Sequence, residues 1–279
     1  MSDVRRATTG VEVIRVRAAE TASRPDTVVT EEPMEIRAEG PGQDPVSVAV
    51  TMRTPGHDFE LAVGFLYTEG LIAGHGEVAA VKYCELPDGQ EQKFNIVTVS
   101  LTRPWDDRGR QRAFAATASC GTCGKASIDQ VEVVCRPLPP DAPFSASLVG
   151  SLPARLREQQ RLFDQTGGLH GAAIIDRDGT LGWLREDVGR HNAVDKVVGQ
   201  ALLSRQLPLH GQALVVSGRL SFEIVQKAAV AGIPLVAAVS APSSLAVDAA
   251  DRLGVTIAAF VRDGGFNLYT HPERIDLAN

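Results

Sequence analysis

Cysteine is scarce in this chain, and its four cysteines are spaced irregularly along 279 residues. That pattern does not make the disulfide framework of a small secreted protein, and it fits a reducing cytoplasm in which thiols stay available for chemistry. No apolar run approaches the length of a membrane span, and the N-terminus lacks the apolar core of a signal peptide. We therefore expect a cytoplasmic protein with no part in a membrane.

An excess of positive charge is also missing. The formal net charge is −6, which argues against a general nucleic-acid binder, so any anion site must be built from local basic residues. Hydrophobic residues make up 44% of the chain and charged residues 22%, enough apolar material for a sizeable core. The length favours two domains.

Two of the four cysteines lie together in the segment Ser119-Cys-Gly-Thr-Cys-Gly-Lys125. A thiol reacts as its thiolate, and a nearby cation or backbone N–H groups aimed at the sulfur lower the thiol pKa. Gly121 and Gly124 let the backbone fold closely around the sulfurs of Cys120 and Cys123. Lys125 supplies a charge, so the segment is typical of a reactive loop.

The cysteine pair is also compatible with a zinc site or a redox site. A zinc site with four thiolates needs a second close pair, but Cys84 and Cys135 are far apart in the sequence, and we expect both to be buried structural residues. A redox pair of the thioredoxin kind is the stronger alternative. The segment His75-Gly-Glu77, followed later by the cysteine pair, is reminiscent of zinc deaminases, but no proline precedes Cys120.

The sequence predicts an α/β and α+β two-domain fold. Residues 1–27 are expected to be a loose N-terminal segment, with a strand over Val11–Val16. Residues 28–136 form an α+β domain with an antiparallel sheet that ends in the Cys-x-x-Cys loop. A proline-rich linker over 137–150 follows, and 151–279 form a three-layer α/β domain. The first-half elements are strands at 34–37, 46–53, 78–85 and 94–101 and a helix at 58–69.

The second half changes to alternating strands and helices, which favours parallel pairing. We predict helices beginning at Ser151, at Asn192 or Asp187, at Ser221 and at Ser243. The strands fall at 169–176, 181–184, 213–216, 234–239 and 255–261.

Ligands of such sheets bind beyond the carboxyl ends of the strands, at the loops that connect each strand to the following helix. The junctions Ser217–Ser221 and Ser240–Ser244 offer hydroxyls and backbone N–H groups at helix N-termini, which suit a phosphate. Plain capping explains either junction taken singly. Arg190, His191, Arg219 and Lys227 nearby favour an anionic ligand, and His170 could face the same cleft.

Taken together, these segments resemble the FdhD family of formate dehydrogenase accessory sulfurtransferases. The resemblance rests on the stretches Thr54–Leu66, Ser119–Gly124, Gly167–His170, Glu186–Lys196, Ser217–Arg219, Ser240–Val247 and Phe260–Arg262. The block Glu-Asp-Val-Gly-Arg-His-Asn-Ala-Val-Asp-Lys196 is the most specific of them. The likeness begins near residue 30 and runs to Tyr269.

This resemblance implies a cytoplasmic sulfur carrier, with Cys120 as the persulfide cysteine and Cys123 as its companion. Sulfur would come from a cysteine desulfurase and pass to the molybdenum cofactor, bis-molybdopterin guanine dinucleotide, for formate dehydrogenase. The family's cofactor-binding segment falls on Phe260, Val261, Arg262, Asp263, Gly264 and Gly265. To these we add Ser217, Arg219, Ser240, Arg190 and His191 as cofactor-binding candidates, with GDP as an analogue of the ligand and no metal site.

The resemblance also implies that the second domain is similar to the cytidine deaminase fold without its zinc. Two other functions remain open: a cofactor-binding chaperone in which the thiols are incidental, and a dithiol–disulfide oxidoreductase. A chaperone would tolerate loss of Cys120, whereas a carrier would not. A homodimer is compatible with the sequence, which does not fix the oligomeric state.

Overall fold

A computed structural model describes residues 7–18, 20–84, 94–106 and 135–278 of the chain. The chain begins with a β-hairpin of strands β1 (Thr8–Arg17) and β2 (Glu20–Val29), which pair in register from Thr8 opposite Val29 to Arg17 opposite Glu20. The sequence predicted one short strand here within a loose segment reaching residue 27. Most side chains of β2 are exposed, so this strand lacks the apolar alternation by which a half-buried strand is recognised.

Among the described residues of the first half, one helix packs against a four-stranded sheet that follows the hairpin. Its strands are β3 (Glu32–Glu39), β4 (Val46–Arg53), β5 (Val78–Tyr83) and β6 (Ile96–Leu101), in the order β4-β3-β6-β5. Helix α1 (Asp58–Thr68) packs Leu61 and Leu66 against Met34 and Val97 in a shared core. β3 and β6 are parallel. The prediction of an antiparallel sheet was therefore wrong for this pair, because the chain crosses the sheet through α1 before it returns along β6.

The second half is built on a six-stranded mixed sheet. Its strands are β8 (His170–Asp176), β9 (Leu181–Asp187), β10 (Gln212–Val216), β11 (Leu235–Ala238), β12 (Thr256–Arg262) and β13 (Gly265–Leu268). The order is β13-β12-β11-β10-β8-β9, and β10, β11 and β12 are mutually parallel. Short strands β7 (Phe144–Ser145) and β14 (Ile275–Asp276) pair separately. The predicted alternation of strands and helices thus gives parallel pairing at the centre of the sheet.

Helices cover both faces of this sheet. Helix α2 (Ala146–Gln159), which the short helix α3 (Arg161–Thr166) follows, buries Leu152 and Leu156 against one face. On the other face lie α4 (Arg190–Leu203), α5 (Phe222–Val230) and α6 (Ser244–Leu253). The second half is therefore a three-layer α/β unit, as predicted, whereas its likeness to the cytidine deaminase fold stays a prediction.

Helix α2 begins earlier than the sequence indicated. Ser145, not Ser151, is the N-cap, and its hydroxyl accepts a hydrogen bond from the backbone N–H of Leu148. Pro153 lies inside the helix, where it costs a backbone hydrogen bond. The buried apolar face of α2 offsets that cost, so residues 144–150 are ordered elements rather than the end of a linker.

The two halves meet where α1 crosses α4 at two glycines. A Cβ on Gly64 would lie 1.9 Å from the carbonyl oxygen of Asp195, and a Cβ on Gly199 would lie 1.9 Å from that of Glu60. Glycine at both positions lets the two helix backbones touch. Helix α4 is therefore buried between the six-stranded sheet and the first half.

Candidate functional site

The loops that leave β10 and β11 lie side by side at the carboxyl edge of the sheet. The backbone N–H of Leu220 donates to the carbonyl of Ala241 (3.1 Å), and that of Ser243 donates to the carbonyl of Leu220 (3.0 Å). The segments Ser217–Ser221 and Ser240–Ser244 are thus held together, and Arg219 in the first of them is exposed. The structure brings these predicted junctions onto one edge.

Strand β8 adds a histidine to this edge, because it runs antiparallel to β10 and begins where β10 ends. Ser217 and Gly171 exchange two hydrogen bonds, from the Ser217 N–H to the Gly171 carbonyl (3.0 Å) and from the Gly171 N–H to Ser217 Oγ (2.9 Å). A Cβ on Gly218 would lie 3.2 Å from His170 Nδ1 and 3.8 Å from Arg190 Cδ. Gly218 therefore leaves room for both side chains. The Nε of Arg190 is buried and has no hydrogen-bond partner among the described residues.

His191 joins the first turn of α4 to the start of α5. Its Nε2 lies 3.0 Å from Ser221 Oγ and 3.8 Å from a carboxylate oxygen of Glu223. Burial lowers the pKa of His191 to about 4, with further lowering from Lys227 and Arg190. Burial and then Arg190 lower the pKa of His170 as well. Both imidazoles are therefore neutral near pH 7 and can accept a hydrogen bond. Sequence reasoning missed Ser221 as the partner of His191, since nothing local links residues 30 positions apart.

The two serine-rich helix starts differ in how their N-caps are used. At α6, Ser243 caps its own helix by accepting from the backbone N–H of Ala246 (3.2 Å). At α5, the N-cap is Ser221, whose side chain makes no capping bond in the described structure and contacts His191 instead. Among the described residues, no side-chain oxygen caps the first N–H groups of α5, whereas Ser243 caps those of α6.

Lys227, predicted from sequence to help bind an anion, is not available for that purpose. It is 3% exposed, and its Nζ lies 2.9 Å from Asp195 Oδ1 and 3.0 Å from Glu69 Oε1. Burial disfavours the charged form, but the two carboxylates outweigh that effect and raise the pKa of Lys227. Its charge joins α5 to α4 and α1.

Phe260 is the strained residue of the edge. Its φ is 53°, a left-handed conformation that is costly for an aromatic residue. This conformation interrupts the alternation of side chains along β12. Ala259 and Val261 would share one face of a regular strand, but Ala259 packs against the α4–α6 layer and Val261 packs against the α2 layer. Phe260 itself turns outward and is 40% exposed, and Val239, the residue after β11, is 41% exposed. Its N–H approaches the carbonyl of Ser240 at 3.4 Å.

The remainder of the predicted cofactor segment forms the tight turn into β13. Asp263 (φ 52°) and Gly264 (φ 78°) are both left-handed, and Arg262 pairs with Gly265 across the turn. A Cβ on Gly150 of α2 would lie 2.4 Å from the Gly264 carbonyl oxygen. Gly264 therefore rests on α2, while Arg262 and Asp263 are exposed. The segment 260–265 therefore does not lie at one place: Phe260 is at the carboxyl edge of the sheet, and Gly264 is against α2.

Cys120 and Cys123 lie outside the described residues. Of the other two cysteines, Cys135 is buried in the core beneath α4–α6, and burial raises the pKa of its thiol to about 11. Cys84 is half-buried just after β5. A protonated thiol is a poor nucleophile, so the structure supports the expected structural role for Cys135.

The described residues contain no cluster of three or more His, Cys, Asp or Glu side chains that could hold a metal ion. His75 lies in a short 3₁₀ turn with Glu77, near Arg205. No helix in the described part of the chain is long and apolar enough to cross a membrane.

Comparison with known proteins gives consistent results. The model of the FdhD/NarQ family matches residues 29–276. A protein of Mycolicibacterium paratuberculosis named sulfur carrier protein FdhD is 48% identical over 94% of this chain and 97% of its own. The protein of that name from Sulfurisphaera tokodaii is 42% identical over 95% of this chain and 98% of its own.

A solved structure shares the fold. It is that of a protein assigned as a formate dehydrogenase accessory protein from Desulfotalea psychrophila, with a TM-score of 0.75 and 25% identity. The match covers 97% of this chain and all of that one.

Proposed function

Since the chain belongs to the FdhD/NarQ family, whose curated relatives are named sulfur carrier proteins, we propose that it carries sulfur as a persulfide on Cys120. In this proposal a cysteine desulfurase is the donor and a molybdenum cofactor is the acceptor. The relative of known structure is assigned as a formate dehydrogenase accessory protein, which makes that enzyme the expected destination of the cofactor.

The sulfur transfer is an exchange of one sulfur between two thiolates. The Cys120 thiolate attacks the outer sulfur of the donor persulfide, the donor cysteine leaves as a thiolate, and Cys120 becomes the persulfide. The Cys123 thiolate, three positions along the chain, has two possible steps: attack on the outer sulfur moves that sulfur to Cys123 and frees the Cys120 thiolate, and attack on Cys120 Sγ forms a Cys120–Cys123 disulfide and releases the outer sulfur as hydrosulfide. Lys125 beside the pair favours the thiolate form.

The observation that carries the ligand assignment is the unsatisfied polar edge of the second half. The start of α5 lacks a side-chain cap within the described structure, and the adjacent Arg190 has a buried Nε with no partner there. Uncapped N–H groups and a guanidinium are the groups that bind phosphate. The bis-molybdopterin guanine dinucleotide carries such phosphates, so we place them at α5 rather than at the self-capped α6. Ser217, Arg219 and Ser240 flank that position.

The opposite end of the edge suits a flat ring. Phe260 is 40% exposed, and its N–H approaches the carbonyl of Ser240, the residue after the exposed Val239; aromatic rings stack on heterocycles. Arg262 and Asp263 follow within three residues and are exposed. The cofactor is cargo in this proposal, so its chemistry belongs to the acceptor and not to a resident group of the protein.

Intact-mass measurement tests the sulfur-carrier proposal. The protein is incubated with a cysteine desulfurase and cysteine, and it should gain the mass of one sulfur, which a reductant removes. Cys120→Ala should gain none, and Cys123→Ala should still gain it. If Cys120→Ala gains the mass at the wild-type rate while Cys123→Ala gains none, the assignment to Cys120 is wrong and Cys123 is the carrier. If the wild-type protein gains no sulfur, the sulfur-carrier proposal falls and the cofactor-binding chaperone replaces it.

Calorimetric titration with GDP tests the ligand assignment separately. Wild-type protein should bind GDP, and Arg262→Ala and Arg190→Ala should each bind about 10-fold or more weakly, as expected when one charge-assisted hydrogen bond is lost. The control is Arg205→Ala, an exposed arginine just after the C-terminal end of α4, at the opposite end of that helix from Arg190. Equal affinity of all four proteins would remove the assignment and leave the sulfur chemistry intact.

A further inference from the structure

The block Glu186–Lys196 holds the edge of the second half against the first half of the chain. Asp187 is fully buried and is the acceptor that the surrounding groups share. One carboxylate oxygen accepts from the backbone N–H of Gly189 (2.8 Å) and the amide of Asn192 (3.0 Å). The other accepts from the backbone N–H of Thr54 (3.2 Å) and lies 2.6 Å from the Nζ of Lys196.

Thr54 contributes three groups to the same cluster. Besides its N–H, its hydroxyl accepts from the backbone N–H of Val188 (3.1 Å), and its carbonyl accepts from Lys196 Nζ (2.9 Å). Thr54 is 1% exposed. The turn after β4 in the first half and the turn after β9 in the second half therefore form one hydrogen-bonded unit.

Asn192 adds two bonds across the same boundary. Its amide donates to the carbonyl of Met52 (2.7 Å), and its side-chain oxygen accepts from the hydroxyl of Thr51 (3.2 Å). A Cβ on Gly189 would lie 3.1 Å from the Asn192 amide nitrogen, so glycine there leaves room for this side chain.

Arg190 and His191 stand between the members of this cluster. The turn Asp187–Gly189 comes immediately before them, and Asn192 comes immediately after. Their own side chains point elsewhere, toward Gly218 and toward Ser221. The backbone that carries both side chains is therefore fixed on each side by contacts with the first half.

We propose that Thr54, through its hydroxyl bond to the Val188 N–H, is a positioning residue for Arg190 and His191. The first half of the chain, which contains the cysteine pair, thereby sets the geometry of the ligand edge on the second half. The identity of the ligand in this inference rests on the proposed function, whereas the contacts of Thr54 are observed in the structure.

The test compares Thr54→Val with Thr54→Ser. Valine has nearly the shape of threonine but lacks the hydroxyl, whereas serine keeps it. Thr54→Val should weaken GDP binding about 3- to 10-fold, the equivalent of one hydrogen bond, and should shift the ring NMR signals of His191. Thr54→Ser should keep the GDP affinity and the His191 ring signals close to those of the wild type. Persulfide loading at Cys120 should be unchanged in both variants.

Two further variants separate positioning from loss of stability. Thr51→Val removes the bond to Asn192 from a more exposed position, and should give the same effects to a smaller degree. Leu66→Ala creates a cavity in the first-half core, about 12 Å along α1 from the end of the helix that follows the turn. It should lower the melting temperature and leave the His191 signals and the GDP affinity at their wild-type values.

Three results would overturn the inference: unmoved His191 signals in Thr54→Val, failure of Thr54→Ser to restore them, or an equal loss of affinity in Leu66→Ala. If wild-type protein binds no GDP, the ligand assignment falls, and the His191 signals still decide whether Thr54 positions the edge.

Discussion

At the scale of single residues, the environment of each side chain decides its chemistry more than its type does. Lys227 and Arg190 are both cations close to the same edge. Lys227 stays charged and forms ion pairs with Asp195 and Glu69, while the buried Nε of Arg190 has no hydrogen-bond partner in the described structure. Only contacts distinguish the structural cation from the candidate ligand-binding one.

The pH dependence of stability should report on His191. Its pKa is about 6.5 when unfolded and about 4 when folded, mainly because of burial. Between those values the unfolded state binds more protons, so the free energy of unfolding falls as the pH decreases from about 6.5 to about 4. His170 acts in the same direction.

Urea unfolding at pH 7 and pH 5 checks this expectation. His191→Gln should lose less stability between the two pH values than the wild type does, because glutamine cannot take up the proton. His210→Gln, at an exposed site outside the cluster, is the matched control and should behave as the wild type. An equal pH effect in His191→Gln and wild type would contradict the role of His191.

Cys135 should resist alkylation in the folded protein. Burial raises its pKa from 9.0 to about 11, which at pH 8 lowers the thiolate fraction about 100-fold before any steric protection. Peptide mapping after brief treatment with iodoacetamide should find Cys120 modified and Cys135 unmodified until urea is added. Modification of Cys135 at the rate of Cys120 in native protein would show that its burial is not maintained.

At the scale of elements, packing at the α1–α4 crossing requires glycine at a position where helix propensity alone would favour alanine. Alanine is a better helix former than glycine by about 1 kcal/mol, so Gly199→Ala would stabilise an isolated α4. In the protein, the new Cβ would lie 1.9 Å from the backbone carbonyl of Glu60. A backbone atom cannot move aside as a flexible side chain can, so α1 and α4 must separate.

We therefore expect Gly199→Ala to destabilise the protein by about 1–3 kcal/mol or more, the usual cost of overpacking. Thermal or urea unfolding measures it. The matched control is Gly10→Ala in β1, where a Cβ would meet no atom within 4 Å, and its stability should stay near that of the wild type. A Gly199→Ala protein as stable as the control would contradict the close helix contact.

At the scale of the whole molecule, the two halves depend on each other through buried charges. Lys196 and Asp187 are 1% and 0% exposed and 2.6 Å apart, and both contact Thr54 of the first half. Removing one partner of a buried pair leaves an uncompensated charge, which is more costly than removing both.

Lys196→Met should therefore destabilise the protein by about 3–5 kcal/mol, and the double variant Asp187→Asn/Lys196→Met should be less destabilised. Urea unfolding provides the comparison. If the double variant is the less stable of the two, the hydrogen bonds that Asp187 accepts from Thr54, Gly189 and Asn192 are worth more than its unpaired charge costs, contrary to this expectation.

The same contacts predict that the two halves unfold together. Trp105 lies in the first half and Trp183 in β9 of the second, and the chain has two tryptophans. Trp105→Phe leaves a probe of the second half, and Trp183→Phe leaves a probe of the first. Their fluorescence transitions in urea should coincide after correction for any stability difference, whereas two separate midpoints would show that the halves unfold independently.

The sequence by itself determined the features that depend on neighbouring residues. Strand β4 has its predicted bounds, and the predicted serines Ser221 and Ser243 are the N-cap residues of α5 and α6, because alternation, helical spacing and capping are local properties. The motifs from Thr54 to Arg262 were sufficient to place the chain in the FdhD/NarQ family, which the family model confirms.

The tertiary structure decided what depends on residues far apart in the chain. It paired β3 with β6 in parallel, ordered the hairpin of β1 and β2, and placed Ser145 rather than Ser151 at the start of α2. It also joined His191 to Ser221, buried Lys227 and turned Phe260 out of its strand. Local propensities act over a few residues, whereas these outcomes are set by burial and by charges brought together only when the two halves pack.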